Sequence, residues 1–229
     1  MRIDKFICKS TELTRIEASE FLQAQKVCVD GKVFTNGATQ VHEDNCITLD
    51  GVVLTPRPSR YIMVHKPENT LCSNVDEAYP SLFHHVGVEK AFDLHVAGRL
   101  DADTTGLVLV TDDGRWSYNI ITPHKQCEKT YRVTLRDVIK DEVALKFQQG
   151  ILLQGQKKPT LPAKLEVVND REVLLTITEG KFHQVKRMFR AVGNRVNALH
   201  RESIGNIRLD IGLGEWRYLT IDEINSFGK

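Results

Sequence analysis

Nowhere does the chain hold an apolar run approaching the roughly 18–20 residues that cross a bilayer, which excludes a helical membrane span. The opening Met1-Arg2-Ile3-Asp4-Lys5 has no apolar signal-peptide core, and its early acid is wrong for a transit peptide. Cysteine is sparse, with five residues (Cys8, Cys28, Cys46, Cys72, Cys127) and no C-x-x-C pair. Neither a disulfide framework nor a structural zinc site is expected, and a cytoplasmic location is the default. A surplus of one charge is missing too. Thirty-one Lys+Arg face 30 Asp+Glu, so no global basic field announces a polyanionic partner. P-loop, G-x-G-x-x-G and metal-ligand patterns are lacking, as are internal repeats, so no cofactor or metal is expected. What is there, 229 residues with 41% hydrophobic and 27% charged, is the composition of a soluble globular protein of one or two domains.

Residues 1–58 read as a small α/β module. Ile3, Phe6 and Ile7 form an apolar stripe at helical spacing. A second helix is predicted from Thr14, where Glu17 completes a capping box, with Ile16, Phe21 and Leu22 buried. Two hairpins should turn at Asp30-Gly31 and Asp50-Gly51, and Thr55-Pro56-Arg57-Pro58-Ser59 breaks both periodicities as a linker. Residues 59–229 form the second domain. Strands are expected at Tyr61–His65, Lys129–Leu135, Lys164–Val168 and Val173–Thr178, and helices at Val143–Gln149 and about His183–Val192. Gly106–Thr111 is continuously apolar and suits a strand buried on both faces, with Asp112-Asp113-Gly114 turning out of it. Strands outnumber helices without βαβ alternation, which gives an α+β fold with a mixed sheet.

The near-zero net charge hides an asymmetry. Between Glu179 and Arg208 lie seven basic residues and two acids. On the expected helix, His183, Lys186, Arg187 and Arg190 fall at i, i+3, i+4 and i+7 and share one face. Such a face suits a phosphate backbone, which rewards clustered cations through counterion release. A plain solvated helix face is the competing reading. The first 32 residues carry six basics against five acids, a weak signal by itself.

The densest polar stretch is Ala97-Gly98-Arg99-Leu100-Asp101-Ala102-Asp103-Thr104-Thr105-Gly106-Leu107, at the mouth of the buried strand. Polar groups there are costly unless they pair or work. Either Arg99 closes an internal turn network with Asp101 or Asp103, or the stretch is a functional site.

Three separated segments choose between these. Gly98-Arg99-Leu100-Asp101 with Thr104-Thr105-Gly106-Leu107 resembles the catalytic-aspartate motif of RNA pseudouridine synthases. Glu128-Lys129-Thr130-Tyr131 is similar to that family's E-K-x-Y strand. The stretch Glu179-Gly180-Lys181-Phe182-His183-Gln184-Val185-Lys186-Arg187-Met188 matches its E-G-[KR]-[FY]-H-Q-V-[KR]-R-M motif, and Lys66-Pro67 fits a shorter early one. The resemblance covers residues 60–220 and implies a mainly antiparallel mixed-sheet catalytic domain that needs neither metal nor cofactor. It implies catalytic roles for Asp101, Tyr131 and Lys186, with Asp103 structural. RNA contacts would fall to Arg99, Lys181, His183, Gln184, Arg187 and Arg190. The front module resembles an S4 RNA-binding domain through Arg2-Ile3-Asp4-Lys5, Thr14-Arg15 and Val27-x-Val29-Asp30-Gly31, which puts Arg2, Lys5 and Arg15 on RNA.

Within the family, Ala97–Gly106 and Thr111-Asp112-Asp113-Gly114-x-Trp116-Ser117 resemble the branch acting on small-subunit (16S) ribosomal RNA more than the large-subunit enzymes. The expected partner is 16S RNA or a small-subunit assembly intermediate, the expected state a monomer without membrane contact. Two readings from other classes compete. One is a non-catalytic S4-bearing ribosome-assembly protein. The other is a metal-dependent phosphodiesterase using Asp101, Asp103, Asp112 and Asp113, which the length of the intervening strand disfavours.

Overall fold

The computed structural model describes residues 1–42 and 44–228, in two compact units that divide between Ser59 and Arg60. In the first unit, α1 (Ile3–Ser10) and α2 (Arg15–Gln23) accompany β1 (Val27–Val29), β2 (Lys32–Val33), β3 (Ile47–Leu49) and β4 (Val52–Val53). The sheet runs β2-β1-β3-β4. Thr14 and Glu17 make both bonds of the capping box at α2. Asp30-Gly31 and Asp50-Gly51 all have positive φ, which is what a tight hairpin turn needs to match strand twist. Ile3, Phe6, Ile7 and Leu22 are buried, but Ile16 is 74% exposed and Ala18 takes the inward place. Position 16 falls just after the cap, on the outer side of a helix whose apolar face is set by Ala18 and Leu22.

The second unit contains β5 (Tyr61–Lys66), β6 (His95–Val96), β7 (Thr105–Thr111), α3 (Gly114–Ile121), β8 (Lys129–Leu135), α4 (Glu142–Gln149) and β9 (Lys164–Asn169). There follow β10 (Glu172–Ile177), α5 (Gln184–Ala191), β11 (Val196–Ile204), β12 (Ile207–Arg208), β13 (Trp216–Tyr218) and α6 (Ile221–Asn225). The fold is α+β: a nine-stranded sheet in the order β13-β5-β7-β11-β8-β10-β9, with β12 on β11 and β6 on β7. Among the named strands of the described residues, the β7–β11 pairing alone is parallel, through His200 with Thr105 and Arg201 with Gly106. There the backbones come unusually close. A Cβ on Gly106, whose φ is +114°, would lie 2.4 Å from the Arg201 carbonyl oxygen.

Apolar layers cover both faces of the sheet centre. Val108 and Val110 pack in one with Ile62, Val64 and Val133, while Leu107 and Leu109 pack in the other with Met63, Trp116 and Ile120. The continuous apolar run at Gly106–Thr111 is thus buried on both sides. Two elements depart from expectation. Asp112-Asp113-Gly114 does not merely turn the chain, because the Asp113 carboxylate accepts from the Arg115 and Trp116 amides and starts α3. The helix expected over His183–Val192 is Gln184–Ala191, with His183 a left-handed cap at φ 48°. His183 thus caps the helix rather than belonging to it, although its carbonyl still accepts from the Arg187 amide (3.0 Å).

Candidate active site

Asp101 lies in the loop between β6 and β7, and that loop is held from below by two buried cations. Lys66, fully buried at the end of β5, donates through Nζ to the carbonyls of Pro67 (2.9 Å), Ala102 (3.1 Å) and Thr104 (2.8 Å). Burial pushes its pKa down. Arg201 on β11 is 1% exposed. Its Nη2 donates to Gly98 O (2.7 Å), its Nε to Leu107 O (2.7 Å) and its Nη1 to the Tyr131 hydroxyl (3.3 Å). The loop closes with Thr104 N–H on Asp101 O (3.1 Å) and Asn69 N–H on Ala102 O (2.8 Å). The Asp101 carboxylate is thereby aimed outward by a backbone whose own polar groups are satisfied.

Lys186 on α5 approaches from the opposite wall, because Val185, Met188 and Phe189 anchor the helix in the core. Its Nζ lies 3.1 Å from Asp101 Oδ2 and 2.5 Å from Asp103 Oδ1. Burial works against the ammonium, but hydrogen bonds and charge from Asp103 and Asp101 prevail and hold its pKa up. Burial likewise opposes the Asp103 carboxylate and is the largest single influence, but the Lys186 hydrogen bond and charge, a backbone hydrogen bond and the His183 charge together hold that pKa down. His183 Nε2 stands 3.4 Å from the other Asp101 oxygen. One cleft is lined by Asp101, Tyr131, Lys186, Arg99, Lys181 and His183, among others. Tyr131 is buried, and the Lys186 and Asp101 side chains keep 25% and 29% of their surface exposed, so the pair is partly sheltered and interacts more strongly than in water.

The other expected RNA contacts divide. Arg99 is exposed at the cleft and bonds neither Asp101 nor Asp103, since Lys186 takes both. Arg190 is exposed. Gln184 is buried, accepting from the Lys181 amide (2.8 Å) and donating to Glu179 (3.0 Å), so it shapes the loop at the cleft it lines. Lys181 is ion-paired with the buried Glu179. Arg187 turns its guanidinium to the carbonyls of Phe182 (3.0 Å) and Gln154 (2.6 Å). In the first unit Arg2 (2.7 Å) and Arg15 (3.5 Å) converge on Asp4, while Lys5 is half-buried on α1.

Asp103 does more than shape the loop, for it shares the Lys186 cation. Arg201 and the clamp role of Lys66 are the residues that sequence reasoning passed over. A lone Arg inside the strand-like stretch Val196–Ile204 was the available signal. The four-acid metal reading fails on geometry. Asp112 accepts from Arg60 (3.0 Å) and Asp113 caps α3, and among the described residues no group of three His, Cys, Asp or Glu is placed to hold a metal.

A sheltered carboxylate leaving the centre of a mixed sheet, met by a lysine from a helix that carries the third motif, fits the class the motifs resemble. The sequence profile described as RNA pseudouridylate synthase matches residues 60–191, and the chain belongs to that family. More particularly, it is similar to ribosomal small subunit pseudouridine synthase A of Vibrio cholerae, 50% identical with both chains fully covered. The protein of that name from Haemophilus influenzae is 46% identical, again over the whole of each chain. A solved structure described as a pseudouridylate synthase superposes with a TM-score of 0.74 at 44% identity, covering 99% of both chains.

Proposed function

We propose that this protein converts a specific uridine of small-subunit (16S) ribosomal RNA into pseudouridine. The observation that carries the reading is the Asp101–Lys186 pair at 3.1 Å in the cleft that Tyr131 also lines. Full-length similarity to proteins named for the small ribosomal subunit supports the substrate. In the reaction the N1–C1′ bond breaks, the uracil turns, C5 bonds to C1′, the C5 proton leaves and N1 gains one. Nothing is oxidised or reduced. Asp101 supplies the ionised carboxylate that acts on the sugar–base unit, and Lys186 is its counter-charge. Tyr131 presents an aromatic ring to the uracil and a hydroxyl for the C5 proton. The uridine leaves its stack at a cost of a few kcal/mol, and Arg99, exposed at the rim, occupies the vacated place.

The first unit acts in this reading as an S4-like RNA-binding module. Arg2 and Arg15 keep 45% and 63% of their side-chain surface exposed while sharing one buried acid, which leaves surplus positive charge. The enzyme works in the cytoplasm as a monomer, on 16S RNA or a small-subunit assembly intermediate. Tritium release from C5-labelled uridine tests this. Unmodified 16S RNA should release one equivalent. Release from large-subunit RNA alone would move the enzyme to the other branch, and none from either would leave a binding protein.

A further inference from the structure

Phe182 is the most exposed large apolar side chain in the molecule's described surface, at 76%. Single exposed apolar residues are ordinary on proteins. This one differs in how it is built. Its ring stacks on the His183 imidazole at 3.8 Å between centroids and 20° between planes, whereas the other ring pairs are tilted or edge-on. His183 holds φ 48°, a conformation costing a non-glycine residue on the order of 1 kcal/mol. The loop is fixed in that shape by Arg187, which donates to the Phe182 carbonyl (3.0 Å), and by Gln184, which accepts from the Lys181 amide (2.8 Å). Such a loop presents one face of Phe182 to water and one edge of His183 to Asp101, 3.4 Å away. A flat apolar surface kept rigid next to the cleft residue His183 has already spent the ordering entropy that stacking requires.

We propose that Phe182, backed by His183, is a base-stacking subsite for a nucleotide adjoining the target uridine. The proposal rests on the function proposed above. The occupant is a nucleobase rather than an aromatic peptide side chain because exposed Arg99 lines the cleft that His183 also lines, and it suits a phosphate backbone. With the flipped uracil at Asp101, the stack of His183 and Phe182 leads away from the reacting carbon. The base it receives is therefore a neighbour and not the substrate base. Stacking is indifferent to base identity, so the subsite contributes affinity and register more than sequence choice.

The experiment is a kinetic and binding comparison of Phe182→Ala, Phe182→Leu and Phe182→Tyr on 16S-derived RNA fragments, with an abasic residue scanned through the fragment. Phe182→Ala and Phe182→Leu should raise KM by roughly 10-fold, within the range measured for losing one stacked base, with the larger part of the loss in KM rather than kcat. Phe182→Tyr should restore wild-type KM. In the wild type, an abasic residue at one position beside the target should bring a similar loss, and in Phe182→Ala that same lesion should add little. A KM within twofold of wild type for Phe182→Ala, or an abasic penalty equal in both proteins, overturns the subsite. If the wild type releases no tritium, the proposed function has failed instead. The abasic scan then reads the subsite by fluorescence anisotropy, where coupling with Phe182 supports it and additivity overturns it.

Discussion

The Asp101 loop has an open side and a closed side, and a cation serves each differently. On the open side Lys186 faces two carboxylates, which hold its proton against the pull of burial. On the closed side Lys66 and Arg201 face backbone carbonyls and the Tyr131 hydroxyl. Carbonyl dipoles fix a position but cannot exchange a full charge, so those two cations build the loop. Lys186 meets the group that would react. The difference teaches that a basic residue near an active site is identified by what it bonds, not by its charge alone.

Mutants can break that comparison. Asp101→Asn should fold and bind RNA normally yet lose turnover on the order of 10⁴-fold, as expected when an attacking group is removed. Single-turnover tritium release and anisotropy check the two halves. Lys186→Met should lower turnover about 10²–10³-fold with a melting temperature close to wild type. Arg201→Met should do the reverse in emphasis. It strands two carbonyls and a phenol in the core, at about 1–3 kcal/mol for each group left unsatisfied, so denaturant unfolding should move first. If Arg201→Met lost all turnover at unchanged stability, the division between building and reacting cations would be wrong.

Asp103→Asn sharpens the contrast with a smaller effect. Lys186 is held up by both acids against burial, so removing one lowers its pKa. The alkaline limb of the pH–rate profile, where Lys186 loses its proton, should move to lower pH. An unmoved limb would mean that Asp103 is not a partner in solution.

The legible parts of this molecule were those where chemistry and local spacing coincide. Asp101 and Lys186 sit in contiguous motifs, and the run at Gly106–Thr111 declared its two-sided burial by lacking any polar alternation. The Thr14–Glu17 capping box was readable because both partners lie within one turn. Arg201 was not readable, because the groups it bonds at Gly98 and Leu107 are main-chain atoms with no side-chain signature. Helix α3 was hidden behind a sequence that equally suits a turn, and only the Asp113 carboxylate on two amides decides it. His183 was legible in its place beside Lys186 at Asp101, but not in its conformation. Its spacing is helical, but its backbone is not.

The bonds of Arg201 to Gly98, Leu107 and Tyr131 span 103, 94 and 70 residues. During synthesis, Asp101 and Tyr131 therefore emerge long before the side chain that braces them. A nascent chain halted short of Val196 would hold the Asp101 loop with the Lys66 clamp in place but without the Arg201 brace. The Asp101 loop therefore gains its last brace only once the strand Val196–Ile204 has been added to the sheet.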